Sequence, residues 1–243
     1  MIEHVVEGVQ WIQGKDSFLP DSHVYVIGKS GSSDFTLVDC GLMDMGSYKL
    51  EQLESAGISP NQVKRIIMTH THLDHIGCLP ELLRGLPDAE VWVHEDEASY
   101  LEAGDARIIF GNSMFESMVK SQYAIPQDCF RIKVQRKLVG EEMLDLGGIA
   151  FKVIHLPGHS AGGIGLFSLE HKLLISGDTI YADGAIGRYD LFSANPSELK
   201  RSLELVAGLG IDILLPCHNR IVKGGAEPMI NKTVVDWSGF LGN

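Results

Sequence analysis

The chain has 243 residues, 44% of them hydrophobic and 21% charged, which is typical of a folded globular protein and excludes disordered, collagen-like and coiled-coil chains. A chain of this length can fold without disulfide bonds, and we predict a single domain over residues 1–243. Acidic residues outnumber basic ones by 32 to 20, and the net charge of −12 disfavours nucleic acids and anionic membranes as partners.

Targeting and redox features of the sequence are sparse. No stretch approaches the roughly 18 apolar residues of a membrane-spanning helix. Glu3 lies where a signal peptide would carry basic residues. The four cysteines, at positions 40, 78, 129 and 217, have no paired spacing. We therefore expect a cytoplasmic protein with free thiols and no membrane partner.

Short apolar runs rich in β-branched residues alternate with helical patterns, which predicts an α/β fold. In the first half the predicted strands are residues 23–27, 35–38, 65–68 and 90–93. A helix is predicted from Ser47 to a stop at Gly57. In the second half the predicted strands are residues 149–156, 164–169, 172–176 and 211–215. Asn195 and Pro196 predict the start of a helix that ends at Gly208 or Gly210.

The segment between the two halves, residues 96 to about 135, lacks strand alternation. Apolar residues recur there at helical spacing, namely Met114, Phe115, Met118 and Val119. This pattern predicts a helical insertion. Packing of these side chains on the body of the domain is the favoured interpretation, while a substrate lid or the surface of a homodimer stays open.

The heptapeptide from Thr69 to His75 follows the apolar run that ends at Met68. It places His70, His72, Asp74 and His75 within six positions at the end of a strand. Neutral imidazole and carboxylate groups are good ligands for zinc and similar divalent ions. Because a structural role rarely needs such a density of histidines, this segment predicts a metal site.

Four more polar residues end strand-like runs elsewhere in the chain: Asp39, His159, Asp178 and His218. In layered α/β folds the loops at the carboxyl ends of strands form the crevice where ligands bind. We therefore expect these residues to meet the histidine-rich heptapeptide at one site.

With these residues the chain resembles the metallo-β-lactamase superfamily, whose signature is His-x-His-x-Asp-His followed by separated His, Asp and His ligands. The resemblance covers about residues 5 to 222 and implies a four-layer αββα sandwich. It implies two divalent metal ions, with zinc the first choice and iron or manganese as alternatives. The ligands it implies are His70, His72 and His159 for one ion, Asp74, His75 and His218 for the other, and Asp178 between them. Asp39 would support the ligand loop through hydrogen bonds.

The same resemblance implies hydrolysis by a metal-bound hydroxide, with Asp74 as the proton shuttle. Gly177 to Thr179 followed by Gly187 and Arg188 is similar to the glyoxalase II group, and Tyr181 is similar to the tyrosine of acyl-homoserine lactonases. We therefore expect hydrolysis of a small ester, thioester or lactone. Tyr181 is a second candidate catalytic residue, and Arg188 and His23 are candidates for substrate binding.

Three alternatives remain. A mononuclear iron oxidoreductase of the persulfide dioxygenase type resembles glyoxalase II in sequence. RNA phosphodiesterase-like relatives share the ligands, but a chain with net charge −12 and no basic run attracts the phosphates of RNA only weakly. A metal-binding protein without activity is the third. Lactamase activity is disfavoured because Asp178 lies where the commonest zinc lactamases carry Cys.

Overall fold

The computed structural model describes residues 2–15, 19–126 and 128–241. The strands in these ranges are β1 (Glu3–Val6), β2 (Val9–Ile12), β3 (Val24–Ile27), β4 (Phe35–Val38), β5 (Val63–Ile67), β6 (Glu90–His94), β7 (Arg136–Leu138), β8 (Met143–Asp145), β9 (Ala150–His155), β10 (Ile164–Ser168), β11 (Leu173–Gly177) and β12 (Ile213–Pro216). The α-helices are α1 (Gly46–Ser55), α2 (Leu73–Ile76), α3 (Leu79–Gly85), α4 (Glu95–Ala103), α5 (Ala106–Phe110), α6 (Ser113–Gln122), α7 (Pro196–Ala207) and α8 (Glu227–Ser238), with a 3₁₀ turn at Pro60–Gln62.

The strands form two mixed sheets. The first has the order β1-β2-β3-β4-β5-β6-β7, antiparallel from β1 to β4 and parallel from β4 to β7. The second has the order β12-β11-β10-β9-β8, in which only β11 and β12 run parallel. The order of the strands follows the chain in both sheets, so most connections are short.

Three apolar cores separate four layers, as the sequence predicts. One core lies between the first sheet and helices on its outer face and includes Leu37, Leu53 and Leu79. A second, with Phe151 at its centre, fills the space between the sheets. The third lies between the second sheet and helices α7 and α8 and includes Leu203. The arrangement is therefore the αββα sandwich.

The eight predicted strands are confirmed as β3 to β6 and β9 to β12, to within two residues at each end. The two predicted helices are confirmed as α1 and α7, but Ser47, predicted as the N-cap of α1, lies inside that helix, which begins at Gly46 and has no side-chain cap. Helix α7 begins as expected, because the Asn195 side chain accepts hydrogen bonds from the backbone N–H groups of Ser197 and Glu198. The strands β1, β2, β7 and β8 were not predicted.

The helical insertion is confirmed as α4, α5 and α6, but its packing differs from the favoured interpretation. Val119 is buried in the first core. Met114, however, is 83% exposed and Met118 is 38% exposed, so the apolar stripe does not pack as a whole on the body. Phe115 packs against the first core and also lines the cavity beside the candidate ligands. In the part of the chain that the structure describes, every helix is too short or too polar to cross a membrane.

A buried ion pair fixes the loop that leads into β3. The Lys49 ammonium of α1 lies 2.9 Å from Asp21 Oδ2, and both side chains are fully buried. Asp21 also accepts hydrogen bonds from the backbone N–H groups of Leu42 and Lys15, each at 2.7 Å. A charged pair with this many partners is well compensated, but either member alone would be a buried charge without its counter-ion.

We expect Lys49→Met to lower the free energy of unfolding by about 3–5 kcal/mol, because Met keeps the apolar stem and removes the buried ammonium that pairs with the Asp21 carboxylate. The matched control is Lys64→Met, which breaks the exposed pair with Asp88 and should cost less than about 1 kcal/mol. Urea unfolding of the three proteins measures both values. Equal losses of unfolding free energy in the two variants would show that burial does not increase the contribution of the Lys49–Asp21 pair to stability.

Candidate metal centre

The predicted ligands converge at the carboxyl ends of strands from both sheets. Asp39 follows β4, and the heptapeptide follows β5. Asp178 follows β11, His218 follows β12, and His159 lies four residues beyond β9. Because adjacent parallel strands end at the same edge of a sheet, five separate loops meet in one crevice between the two sheets.

Three histidines form the first cluster of this crevice. His72 Nδ1 and His159 Nε2 lie 2.9 Å apart. The ring of His70 lies 4.6 Å from that of His72 and 4.9 Å from that of His159, measured between centroids. One nitrogen from each ring lies within 4.8 Å of the other two, which is close enough for a single ion to bind all three.

Two carboxylates and two histidines form the second cluster. His218 Nε2 lies 3.2 Å from Asp74 Oδ2, 3.6 Å from Asp178 Oδ2 and 3.3 Å from His75 Nε2. His75 Nε2 lies 3.4 Å from Asp178 Oδ1. Asp178 Oδ2 is also 3.8 Å from His159 Nε2 in the first cluster, so Asp178 stands between the two clusters.

Burial and mutual repulsion keep two histidines of the first cluster, His70 and His72, neutral. Burial, followed by the neighbouring His75 and His72, lowers the pKa of His70 well below its usual value. Burial and His159 lower the pKa of His72 to about 3. Because only a neutral imidazole can bind a metal ion, these histidines need lose no proton to become ligands near pH 7.

The carboxylates give the second cluster the opposite character. Burial opposes positive charge on His75, but Asp178, Asp39 and Asp74 together raise its pKa well above the usual value. Burial would raise the pKa of Asp74, yet His75 and His218 bring it down to about 2. The carboxylates are therefore ionised, and this cluster attracts positive charge, whether protons or a metal cation.

Hydrogen bonds from the ring nitrogens that point away from the clusters orient two of the candidate ligands. His75 Nδ1 donates to Asp39 Oδ2 at 3.0 Å. His159 Nδ1 donates to the backbone carbonyl of Arg188 at 2.7 Å. In each case the other nitrogen, Nε2, faces a cluster and is available as a ligand. This is the arrangement by which proteins fix the tautomer of a metal-binding histidine.

Asp39 supports the heptapeptide as the resemblance implies. Its Oδ1 accepts the backbone N–H of Thr69 and its Oδ2 accepts the Thr69 hydroxyl, each at 2.7 Å. The Cys217 thiol also donates to Oδ2, at 3.0 Å. Asp39 adopts a left-handed backbone, with φ of 61°, which aspartate tolerates better than most residues. Its carboxylate thus joins the loops after β4, β5 and β12.

The donor set fits divalent metal ions. His70 Nε2 and Asp178 Oδ1 are buried in the clusters and have no hydrogen-bond partner among the described residues. Leaving such atoms unpaired is unfavourable unless a cation binds them. A further group, His94, Asp96 and His155, also has ligand atoms within 4.8 Å. There, however, His94 Nδ1 accepts the Asp96 N–H, and His155 Nε2 donates to the Ala161 carbonyl.

The clusters form the floor of a cavity of about 460 Å³. His72, Asp74, His159, Asp178 and His218 face it from below. The helical insertion supplies one wall of the cavity through apolar side chains, and the segment after β11 supplies more. The apolar lining residues are Leu73, Ile109, Phe110, Phe115, Ile186 and Leu191.

Two of the candidate substrate residues line this cavity and one does not. Tyr181 lies beside Asp178, and burial together with that carboxylate raises the pKa of its phenol well above the usual value. Arg188 lines the wall, but its guanidinium pairs with Asp190 at 2.8 Å.

His23 is absent from the lining of this cavity, and a role in substrate binding stays a prediction. Its Nδ1 accepts the Gly14 backbone N–H at 3.0 Å, and its Nε2 donates to the Asn219 carbonyl at 2.7 Å. These bonds hold the His23 ring in a separate groove. Its contribution to the centre is indirect, because Asn219 directly follows His218.

Glu97 was not predicted from the sequence. It is fully buried in the first turn of α4, where it bonds Thr71 in the heptapeptide and Gly162 beyond His159. In the sequence it is one of three consecutive acidic residues at a helix start, where such residues are common. Only its partners in the fold distinguish it from Glu95 and Asp96.

Residues 19–218 match the family model described as Metallo-beta-lactamase superfamily, and the chain belongs to this superfamily. The superfamily binds divalent metals, and together with its hydrolase-named relatives this identifies the protein as a metal-dependent hydrolase.

Its similarity to particular proteins is moderate. It is 29% identical to the probable metallo-hydrolase YqgX of Bacillus subtilis, over 83% of this chain and 87% of that protein. It is 29% identical to the acyl-coenzyme A thioesterase MBLAC2 of Bos taurus, over 87% of this chain and 78% of that protein. The crystal structure of TTHA1623 in a di-iron-bound form is 27% identical, with a TM-score of 0.64 over 83% of this chain and 89% of that one.

Gly187 offers a direct test of the site geometry. A Cβ atom there would lie 2.0 Å from the Asp178 carbonyl oxygen and 2.9 Å from the His159 ring. We expect Gly187→Ala to displace the Asp178 backbone and the His159 ring, and to lower the metal content below the value near two ions per chain expected for the unmodified protein. Elemental analysis of protein prepared without chelator measures this. Gly239→Ala is the control, because a Cβ there meets no atom within 4 Å. Full metal content in Gly187→Ala would contradict the proposed ligand positions.

Proposed function

We propose that the protein hydrolyses small acyl thioesters, with esters and lactones as the related substrates, at a centre of two divalent metal ions. The observation that carries this proposal is the cavity itself. Five of the seven candidate ligands line its floor, and an apolar wall of the helical insertion faces them. Similarity to the named acyl-coenzyme A thioesterase supports thioesters as the first class to test.

The shape and lining of the cavity favour an acyl group of modest size. About 460 Å³ lies at the lower end of the range of small-molecule sites. Ile109, Phe110 and Phe115 would contact the hydrocarbon part of the substrate. The carbonyl carbon would then lie over the metal centre, because the polar side chains are concentrated at the floor.

The seven candidate ligands divide into two sets, as described above. His70, His72 and His159 would hold one ion, and Asp74, His75 and His218 the other, with Asp178 shared between them. Bound divalent ions supply a hydroxide nucleophile at neutral pH and polarise the carbonyl of the substrate. Zinc is our first choice, with iron or manganese as alternatives.

Asp74 is the proposed proton shuttle. It is ionised, it lines the cavity, and its side chain keeps 24% of its surface exposed. A carboxylate in this position can accept a proton from the attacking water and deliver it to the leaving sulfur or oxygen. His218, 3.2 Å away, holds the carboxylate in place.

Tyr181 is the proposed donor to the substrate carbonyl. Its raised pKa keeps the phenol protonated, so the hydroxyl can donate a hydrogen bond. That bond would strengthen as negative charge develops on the carbonyl oxygen. Arg188 is the candidate contact for a polar part of the substrate at the cavity rim, if it leaves Asp190.

The proposed partner is a small molecule. A net charge of −12 argues against RNA and anionic membranes, and the metal centre lies inside a cavity rather than on a basic surface. A homodimer and a cytoplasmic location remain proposals that rest on the sequence.

A substrate panel tests this function. The panel contains acetyl and hexanoyl coenzyme A, S-lactoylglutathione, an acyl-homoserine lactone and glutathione persulfide. We expect thioester hydrolysis that stops after chelation, returns on adding Zn²⁺, Fe²⁺ or Mn²⁺, and consumes no oxygen. Asp178→Ala should lose the activity with the metal. Oxygen uptake on the persulfide would favour the iron oxidoreductase instead, and no metal-dependent turnover of any substrate would contradict an enzymatic role of this kind.

We expect Tyr181→Phe to lower kcat while metal content and folding stay unchanged. The loss should be below the roughly 10²–10³-fold typical of a sole oxyanion donor, because bound ions share that task. Tyr189→Phe is the matched control, since Tyr189 is exposed and absent from the cavity lining. Measurement of kcat on a thioester and a lactone at equal metal occupancy tests whether Tyr181 acts as a donor to the substrate. Unchanged rates would assign Tyr181 a packing role only.

A further inference from the structure

Glu97 connects the two segments that carry the three-histidine cluster. Its Oε2 accepts both the backbone N–H and the hydroxyl of Thr71, each at 2.7 Å. Its Oε1 accepts the backbone N–H of Gly162 at 3.0 Å. Thr71 lies between His70 and His72 in the chain, and Gly162 lies three residues beyond His159.

The contact between Glu97 and the second segment is unusually close. A Cβ atom on Gly162 would lie 2.9 Å from the Glu97 Cγ and 3.2 Å from its Cβ. The glycine therefore lets the backbone approach the carboxylate. Glu97 itself is fully buried, and the ion pairs of the described residues do not include it. Its oxygens are thus bonded to two backbone amides and one hydroxyl, and not to a cation.

We propose that Glu97 is a positioning residue for the metal ion of the three-histidine cluster. This inference rests on the proposed metal centre. The carboxylate fixes the distance between the segment of His70 and His72 and the segment of His159, so the three nitrogens lie together before an ion binds. Asp39 acts on the other side, where it bonds His75 of the second cluster. Glu97 and Asp39 are thus two buried carboxylates that hold the ligand segments from different sides.

The chemistry of the three bonds shows why glutamine cannot replace Glu97. A carboxylate offers acceptors on both oxygens, whereas an amide offers one oxygen and one NH₂ donor. In either orientation of the Gln side chain, the NH₂ group would face a backbone N–H, of Thr71 or of Gly162. One segment must then shift away, although the size of the side chain is unchanged.

Stepwise cobalt binding tests this role. The chelator-treated protein is titrated with Co²⁺, and visible absorption and calorimetry give a dissociation constant for each of the two ions. His72→Ala identifies which step belongs to the three-histidine cluster. We expect Glu97→Gln to weaken that step by about 10–100-fold, the usual effect of losing a group that supports a metal ligand, and to leave the other step unchanged.

Two further variants sharpen the result. Glu95→Gln removes the same charge from an exposed residue of the same helix turn, and both constants should stay as in the unmodified protein. Thr71→Val removes only the hydroxyl donor, so it should weaken the same step by less than Glu97→Gln does. It also provides the comparison if Glu97→Gln folds poorly.

The possible results distinguish a failure of the proposed Glu97 role from a failure of the proposed metal centre. A selective loss in the three-histidine step supports the positioning role. Equal weakening of both steps, or a lower melting temperature of the metal-free protein with both constants unchanged, would show that Glu97 serves general folding only. If the unmodified protein binds no Co²⁺, the proposal of a metal centre is wrong, and the proposed role of Glu97 is wrong as well.

Discussion

Five imidazoles and two carboxylates lie together at the junction of two sheets, and most of them are buried. Groups of this kind prefer water, and burial is unfavourable unless each receives a partner. The protein meets part of this demand through carboxylates and carbonyls behind the rings, as with Asp39 behind His75. The atoms that face the clusters, such as His70 Nε2, are left for a cation. Much of the surrounding structure follows from this requirement.

The fold satisfies the requirement by bringing strand ends together. Loops after β4 and β5 come from the first sheet, and loops after β9, β11 and β12 come from the second. Their ends meet because the two sheets pack face to face around one apolar core. Gly162 and Gly187 let the backbone approach Glu97 and His159 more closely than any side chain would allow. The rigid sandwich thus holds in place a site that loops alone could not preorganise.

Much of this arrangement could be predicted from the sequence. Short apolar runs identified eight strands, and start and stop residues identified α1 and α7, because these signals are local. The density of histidines after β5 indicated a metal site, and the superfamily resemblance supplied the layer order. The strands β7 and β8 were missed since each has only three residues and depends on its neighbours for pairing.

Three buried charged residues escaped prediction for a different reason. Glu97, Asp21 and Lys49 are charged, and charged residues in a sequence normally indicate a solvated surface. Their burial depends on partners that are distant along the chain, such as Gly162 for Glu97. The position of His23 before a strand likewise does not reveal that both ring nitrogens bind backbone groups.

The central claim is that the two clusters each bind a metal ion. Anomalous diffraction from crystals of the protein prepared without chelator, recorded at the absorption edge of the metal it contains, tests this claim most directly. We predict two peaks, one among His70, His72 and His159 and one among Asp74, His75 and His218, with Asp178 between them. A single peak, or a peak at His94 and His155 in place of these, would contradict the account.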